Sequence, residues 1–391
     1  MIAVGRLLTV SASIVITICL CEGALNLLGY PLLGPKRYVR LREFPPGTHA
    51  IAISKKADDP TCPGAEAGRF EIVTDKDGYL LPYSSYDETK KGSSKLKQQE
   101  VILLFLGGST TENLYMDPMK RFPALTSHIL NRRSSQHHEP YKFRSLNAGV
   151  SGNNSYHSLI AFASKGLENR PKYAFLMHAI NDATTLVRYR SYWNNSTTRS
   201  LVIEDSLGRN AIGLSSSLFP HLTQNIARPI AILLGSILGR SMTEFGSDTT
   251  PYTSITSDAD IDRYIKMFTG SLVTFVVMAK ANDIEPVLMT QPNRIANDSY
   301  LRSCVSRLLP SSVTLEQFKR LYSGLNQATR KLATKHGVLL IDLERMLPSE
   351  PEFIYDSVHL TSRGSVMAAE LIANSIVLSR SKTTKTHDSM H

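Results

Sequence analysis

Three side chains in this sequence could together activate a serine hydroxyl as a nucleophile. Ser109 follows an apolar run that ends in Gly107 and Gly108, and Asp356 and His359 lie three residues apart near the other end of the chain. An imidazole can take the proton of a hydroxyl as that hydroxyl attacks, and a carboxylate can orient the imidazole. These residue types and this spacing predict a serine nucleophile, its general base and its orienting acid.

A serine mechanism also needs donors for the negative oxygen that develops in the transition state. Gly152 lies in a glycine-containing turn after a predicted strand, where no side chain blocks approach to its backbone N–H. Asn181 follows another predicted strand and offers its side-chain amide. Together with the backbone N–H of Ser109 at the start of a helix, these groups form the predicted oxyanion hole.

Each motif also has a purely structural interpretation. The four residues that begin at Ser109 have the form of a helix capping box. Gly152 could serve only its turn, Asn181 is a common turn residue, and Asp356 with His359 could simply begin a helix. The functional interpretation is favoured because each motif follows a predicted strand, and the carboxyl ends of parallel strands meet at one edge of a sheet.

The elements that would position these residues are short apolar runs alternating with amphipathic segments. Runs of this kind, bounded by turn residues, are typical of strands buried on both faces. The predicted strands are residues 101–106, 143–147, 173–177, 286–290 and 338–341, and the predicted helices are residues 123–132, 155–168, 260–281, 315–336 and 362–378. This alternation predicts an α/β fold in which helices cover both faces of a five-stranded parallel sheet.

The chain divides into segments of different composition. Residues 99–379 form the predicted α/β domain, with a lid-like insertion at residues 186–257 that contains Trp193 and an apolar helix candidate, Ile226 to Leu238. Residues 30–98 are a predicted connector with a small β element, and residues 380–391 a disordered basic tail.

The N-terminal segment, residues 1–29, is the predicted membrane anchor. Leu7 to Leu28 is apolar except for Glu22 and small polar residues, and as a helix it would span about 33 Å, enough for a bilayer core. A cleaved signal peptide is the alternative, although no convincing small-x-small cleavage site follows. We expect one pass with the remaining chain extracytoplasmic, while the basic cluster from Lys36 to Arg42 favours the opposite orientation.

Charge and cysteine content narrow the partners only slightly. The net charge is +10, but the basic residues are scattered and no zinc-ligand spacing occurs, so nucleic-acid binding is not predicted. Cys62 and Cys304 are the two cysteines outside the apolar segment; they could form a disulfide or remain as buried thiols. The oligomeric state is left open.

In this order, the motifs resemble the four blocks of the SGNH, or GDSL-type, hydrolase family. Ser109 matches the nucleophile in a GGST form of the first block, Gly152 and Asn181 match the oxyanion donors of the second and third blocks, and Asp356 with His359 matches the last. The resemblance covers roughly residues 100–375 without the insertion. It implies a flavodoxin-like, three-layer α/β/α fold.

The sequence departs from the family pattern at two positions. Gly108 stands where the familiar motif has Asp, and Ala179 stands where the third block usually has Gly. Neither change removes a proposed catalytic group, but a methyl group at position 179 could displace Asn181. The Gly-x-Ser-x-Gly elbow of α/β-hydrolases is absent from the sequence.

The resemblance implies acyl transfer from an ester through an acyl-enzyme, with neither a metal nor an organic cofactor. The expected function is removal of acyl groups, O-acetyl above all, from an envelope glycan or lipid. The alternatives are an O-acyltransferase on exopolysaccharide or cell-wall glycan that uses the same three residues, and a catalytically silent, membrane-anchored binding module. A phosphate site at Gly107 and Gly108 is a poorer interpretation, because the lysine and spacing of a P-loop are missing.

Overall fold

The structure is a computed structural model of the chain. It describes residues 13, 37–54, 62, 64–82, 99–194, 199–204, 257–295, 309 and 313–387. The predicted membrane anchor, apart from Ser13, lies outside this range, as do the helix candidate at residues 226–238 and Cys304. None of the helices within the described ranges is long and apolar enough to cross a membrane.

The chain divides into two compact units. One comprises residues 1–38 and 204–230, and the other residues 39–203 and 231–391. Almost all of the described residues belong to the second unit, which contains every predicted site residue. The sheet, the helices and the site described below are those of this second unit.

The described strands include one at each position where the sequence predicts a strand of the central sheet. They are β1 (Arg37–Val39), β2 (His49–Ser54), β3 (Gly68–Val73), β4 (Gln99–Gly107), β5 (Tyr141–Gly149), β6 (Tyr173–Met177), β7 (Val202–Glu204), β8 (Glu285–Met289) and β9 (Leu339–Ile341). The helices are α1 (Ser109–Glu112), α2 (Phe122–Gln136), α3 (Ser155–Ala161), α4 (Ile180–Tyr189), α5 (Asp258–Lys280), α6 (Leu315–His336), α7 (Leu343–Met346) and α8 (Ser362–His387). A 3₁₀ turn at Pro118–Lys120 precedes α2, and a π turn at Phe162–Gly166 extends α3.

The central sheet is parallel and has the strand order β5-β4-β6-β8-β9. This confirms the predicted five-stranded parallel sheet. Gly107 of β4 is in register with Gly149 of β5 and with Met177 of β6, so three strands end at the same level. The chain runs from β4 to β5 on one side of β4 and then returns to β6 on its other side, so the direction of the connections reverses at β4. Open α/β sheets bind ligands at such a point, outside the carboxyl ends of the strands.

Side chains that alternate along β4 pack into two separate apolar clusters. Leu104 and Leu106 pack with residues of α3, α4, α5 and α6 on one face of the sheet. Leu103 and Phe105 pack with residues of α2 and α8 on the other face. All four side chains are at most 1% exposed, as expected for a strand covered on both faces. The sheet is therefore the middle layer of an α/β/α arrangement.

A small β element lies between residues 49 and 73, within the predicted connector. Strands β2 and β3 pair as an antiparallel hairpin, and Leu80 then forms an antiparallel bridge to Asn147 on the outer edge of β5. Leu80 N–H donates to the carbonyl of Asn147 at 3.0 Å. This hydrogen bond joins the connector to the edge of the central sheet.

Most element boundaries differ from the sequence prediction by a few residues, and two of the differences alter a predicted segment. Helix α4 continues to Tyr189, so regular structure extends three residues past the predicted start of the insertion at Leu186. Helix α8 continues to His387, into the segment predicted to be a disordered tail after Arg380. No Gly or Pro follows Gly364 in the sequence, so no helix-breaking residue ends α8 earlier.

Candidate active site

Ser109 lies at the turn between β4 and α1. Gly108 is the N-cap of α1 with φ −93° and ψ −153°, and Ser109 is the first helical residue. This placement puts the hydroxyl at the carboxyl edge of the sheet, as the sequence predicts. The capping-box interpretation of Ser109 is wrong, because no side chain caps this helix. The Ser109 hydroxyl has a partner from the far end of the chain instead.

That partner is His359, and Asp356 completes the arrangement. The Nε2 atom of His359 lies 2.7 Å from Ser109 Oγ, and its Nδ1 atom lies 2.7 Å and 2.9 Å from the two carboxylate oxygens of Asp356. If Nδ1–H donates to the carboxylate, Nε2 is left to accept the serine proton. The structure thus brings these three predicted residues together in the order serine, histidine, aspartate.

Backbone hydrogen bonds hold the Asp356 carboxylate in place. Its Oδ1 atom accepts the N–H groups of Val358 at 3.0 Å and of His359 at 2.9 Å. The ring of Tyr355 is nearly parallel to the His359 ring, with centroids 5.7 Å apart and an interplanar angle of 14°. The acid and the base are therefore fixed on one short loop before α8.

Buried Arg294 fastens this loop to the domain. Its Nη1 atom donates to the carbonyl of Ile354 at 2.8 Å, and its backbone N–H donates to the carbonyl of Ser357 at 3.0 Å. Thr110, next to the nucleophile, donates from Oγ1 to the carbonyl of Val358 at 3.4 Å. These contacts connect the Asp356–His359 loop both to the segment after β8 and to the first turn of α1.

The predicted oxyanion donors lie beside the same turn. The Asn181 amide donates from Nδ2 to the carbonyl of Asn153 at 2.8 Å. A Cβ atom placed on Gly108 would lie only 2.5 Å from that Nδ2 atom, so the amide packs against the residue that precedes Ser109. This packing gives a physical reason why Gly108, and not Asp, occupies the position: the space for a side chain is filled by Asn181.

Gly152 lies in the turn after β5 with φ +78°, a conformation that favours glycine. The neighbouring Asn153 carbonyl is the one that accepts from Asn181, so the Gly152 turn and the Asn181 amide are adjacent. Ala179 is the N-cap of α4, and its methyl group is buried in the apolar cluster beneath the sheet edge. The three predicted donors, Ser109, Gly152 and Asn181, therefore lie on three neighbouring loops at one edge of the sheet.

Sequence reasoning missed the role of Glu112. The Ser151 hydroxyl donates to the Glu112 carboxylate, which is 3% exposed. Burial raises the pKa of Glu112, while the hydrogen bonds from Ser151 and the charge of His359 oppose that rise. This contact ties α1 to the turn that contains Gly152. From the sequence alone, Glu112 also fits the last position of a capping box, and only its partner in the structure reveals its use.

Gln291 is a second residue that the sequence did not single out. Its side chain donates from Nε2 to Thr110 Oγ1 at 2.8 Å and accepts the N–H of Ile180 at Oε1, also at 2.8 Å. Its backbone N–H and carbonyl both bond to the Asn326 side chain at 3.0 Å. Gln291 therefore connects the residues next to Ser109 and next to Asn181. The sequence signal that could have identified Gln291 is its position just after the predicted strand that ends at Thr290, at the carboxyl edge of the sheet.

Asp182, in the first turn of α4, is held by hydrogen bonds from Ser155 and Tyr192. It is fully buried and accepts from the Ser155 N–H at 3.0 Å, the Ser155 hydroxyl at 2.5 Å and the Tyr192 hydroxyl at 2.6 Å. Burial raises its pKa to about 6, although these hydrogen bonds oppose the rise. The nearby His178 is also buried, which lowers its pKa to about 3. This network holds the Asn181–Asp182 turn against the start of α3.

No cluster of metal-ligating side chains was predicted for this site. Within the described ranges, no group of three or more His, Cys, Asp or Glu residues could hold a metal ion. Cys62 is buried, and its possible partner Cys304 lies outside the described residues. What the site offers chemically is a hydroxyl, an imidazole, a carboxylate and a set of amide donors.

Comparisons with known proteins give matches only among solved structures. No protein-family model and no curated protein matches the sequence. A lipase/acylhydrolase from Enterococcus faecalis is 14% identical, with 71% of this chain and 95% of that chain covered and a TM-score of 0.38. A catalytic mutant of an acetylxylan esterase from Geobacillus stearothermophilus is 14% identical, with coverage of 72% and 96% and a TM-score of 0.40. A GDSL-like lipase from Bacteroides thetaiotaomicron is 14% identical, with coverage of 71% and 88% and a TM-score of 0.35.

Proposed function

We propose that this chain is a serine ester hydrolase of the SGNH type that acts through an acyl-enzyme. The observation that carries the proposal is the linked geometry of three side chains: Ser109 Oγ at 2.7 Å from His359 Nε2, and His359 Nδ1 at 2.7 Å from Asp356. A serine hydroxyl is a weak nucleophile unless a base takes its proton. An orienting carboxylate on the other ring nitrogen fixes the tautomer that lets His359 act as that base.

The acylation step follows from these contacts. The Ser109 oxygen attacks the acyl carbon of the ester, and its proton moves to His359 Nε2. The imidazolium is stabilised by the Asp356 carboxylate. The carbonyl oxygen becomes an oxyanion that the N–H groups of Ser109 and Gly152 and the Asn181 amide can hold. His359 then gives its proton to the departing alcohol oxygen as the ester C–O bond breaks, which leaves the acyl group on Ser109.

Deacylation repeats the same steps with water. The oxygen of a water molecule attacks the acyl carbon of the acyl-enzyme while His359 takes a proton from that water. The proton then passes to Ser109 Oγ as its bond to the acyl carbon breaks and the acid leaves. A sugar hydroxyl in place of water would give O-acyl transfer by the same chemistry. Hydrolysis is the simpler outcome and is the function proposed.

Turnover of a simple ester tests the proposal. Full-length protein is expected to release 4-nitrophenolate from 4-nitrophenyl acetate, and Ser109→Ala is expected to abolish that release. The matched control is Ser164→Ala, because the Ser164 hydroxyl is exposed on the π turn and donates only to backbone carbonyls of its own helix. If Ser109→Ala kept more than a few per cent of the activity, Ser109 would not be the nucleophile.

The natural substrate and location are part of the same proposal. We propose that residues 1–29 anchor the chain in a membrane by a single pass, that the catalytic domain is extracytoplasmic, and that the ester is an O-acyl group, O-acetyl above all, on an envelope glycan or lipid. The support is the apolar length of Leu7 to Leu28 in the sequence. A reporter active only after export, fused after Arg380, is expected to be active. An inactive export reporter beside an active cytoplasmic one would contradict this topology.

A further inference from the structure

Three arginines gather at the turn that contains Gly152. The backbone N–H of Arg40 donates to the carbonyl of Leu201 at 2.9 Å, which joins the segment before β2 to the segment that follows Arg199. The Arg42 guanidinium donates from Nη2 to the carbonyl of Ser151 at 3.0 Å. A Cβ atom on Gly152 would lie 3.0 Å from Arg199 Cδ and 3.5 Å from Arg42 Nη1. Both side chains therefore pack directly on a proposed oxyanion donor.

Like charges lie close together in this cluster. Burial, together with the nearby positive charges of Arg40 and Arg199, lowers the pKa of Arg42 to about 10, and the charge of Glu112 opposes this fall. The Glu112 carboxyl is itself buried, with a raised pKa, and accepts the Ser151 hydroxyl. Arg42 and Arg40 also help to lower the pKa of the buried His157 nearby. Several positive charges therefore lie close to the turn.

One donor in the cluster has no acceptor. Arg42 Nη1 is buried and makes no hydrogen bond within the described part of the chain. A buried guanidinium N–H without a partner is costly, and a bound anion would satisfy it. A guanidinium also matches the paired oxygens of a carboxylate or a phosphate. An anionic ligand would accept this hydrogen bond and would reduce the repulsion between the neighbouring guanidinium groups.

We infer that Arg42 and Arg199 form an anion subsite beside the oxyanion donors, and that the ester substrate carries a carboxylate or phosphate close to its reacting carbonyl. The inference rests on the proposed function, because it assigns the substrate class of the same site. It narrows the substrate to acyl esters of an anionic glycan or lipid, as opposed to neutral ones. Arg199 is the better residue to test because its side chain is exposed, whereas Arg42 also supports the Ser151 turn.

The test compares charged and neutral esters in matched pairs, most of which share one acetyl group. Methyl 4-acetoxybenzoate is neutral, 4-acetoxybenzoate carries a carboxylate, and 4-acetoxyphenyl phosphate carries a phosphate. The mono-4-nitrophenyl ester of succinic acid, compared with 4-nitrophenyl acetate, places the charge on the acyl side instead. For each pair, kcat/KM for the charged ester is divided by that for the neutral one. Comparing this ratio between two enzymes cancels the intrinsic reactivity of the esters.

Removing the charge of Arg199 is expected to lower this ratio. For Arg199→Gln we expect a fall of about tenfold in at least one pair, the size of one lost hydrogen bond to a charged group. Arg199→Lys, which keeps the charge, is expected to lose less. The preference of the wild type is also expected to weaken as salt is raised, since charge attraction at a partly exposed site is screened. The carboxylate and phosphate arms identify which anion the subsite prefers.

The control variant is Arg144→Gln, because Arg144 pairs with Glu100 on the neighbouring strand and lies outside the proposed site. Its ratio is expected to equal that of the wild type. The inference would be overturned if Arg199→Gln left the ratio unchanged in every pair while Ser109-dependent hydrolysis of neutral esters was normal. Absence of Ser109-dependent hydrolysis of any ester would instead refute the proposed function, so the two failures are distinguishable.

Discussion

Adding a single methyl group at Gly108 is expected to slow catalysis without unfolding the protein. Gly108 has a negative φ and an extended backbone that alanine can also adopt, so Gly108→Ala should cause no backbone strain. The new Cβ would lie 2.5 Å from Asn181 Nδ2 and 3.2 Å from the Asn153 carbonyl oxygen. Ordinary contacts between such atoms begin near 3.5 Å, so the Asn181 amide must retreat by roughly 1 Å. A displacement of this size in a catalytic group can cost about 10² in rate.

The expected result is a fall of about 10² in kcat, with the protein still folded. Because the crowded atom is the mobile end of a side chain, the cost to the free energy of unfolding should stay within the roughly 1–3 kcal/mol that overpacking usually causes. The assay is 4-nitrophenyl acetate hydrolysis together with urea unfolding of the same samples. Gly270→Ala is the matched control: Gly270 lies in α5 with open space around it, so this change should leave kcat unaltered and slightly stabilise the helix.

A double variant tests whether Gly108→Ala slows catalysis by displacing the Asn181 amide. If Gly108→Ala acts by moving the Asn181 amide, then Gly108→Ala combined with Asn181→Ala should be no slower than Asn181→Ala alone. Full additivity of the two losses would show that the methyl group acts elsewhere. Wild-type kcat in Gly108→Ala would refute the reasoning altogether, because the amide would then not need its observed position.

Three further variants test separate parts of the site. Asn181→Ala should lower kcat by about 10²–10³ with a smaller change in KM, and a change in KM alone would assign Asn181 to substrate binding. Asp356→Asn should lower kcat by about 10⁴ because the amide favours the wrong histidine tautomer, and near-normal turnover would argue against the orienting role. Burial holds the pKa of His157 down to about 3 from the usual 6.5, so the unfolded chain binds a proton below pH 6.5 that the folded chain does not. The free energy of unfolding should therefore fall by about 1.4 kcal/mol per pH unit for this residue as the pH drops from 6.5. His157→Gln should remove that part of the pH dependence when the free energy is measured by urea unfolding. An unchanged pH dependence would contradict a lowered pKa for His157.

The elements of the fold were predictable because their signals are local. The strand Tyr173–Met177 and the helix Leu315–His336 have the bounds predicted from the sequence. The strand is a short apolar run between turn residues. The helix begins with a capping box from Thr314 to Gln317 and ends at Gly337 in the left-handed conformation. Such signals occupy a few consecutive residues and need no knowledge of distant contacts.

The supporting contacts of the site were not predictable in this way. Glu112 has the same local pattern whether it caps α1 or accepts the Ser151 hydroxyl, and only the packing of β5 beside α1 decides between these uses. Gln291 looks like an ordinary loop residue, yet it bonds to groups on α1, α4 and α6. Side chains that join distant segments leave no periodic pattern in the sequence. The residues proposed to react could be predicted because their chemical types are few and their placement after strands is regular.

Covalent labelling tests the central claim most directly. A fluorophosphonate reacts with a serine only when a base activates its hydroxyl, so full-length protein incubated with this probe should form an adduct. Mass spectrometry of the digested protein is expected to place the adduct on Ser109, with labelling lost in Ser109→Ala and strongly slowed in His359→Ala. Unchanged labelling of Ser109→Ala, or an adduct on another serine, would contradict the account.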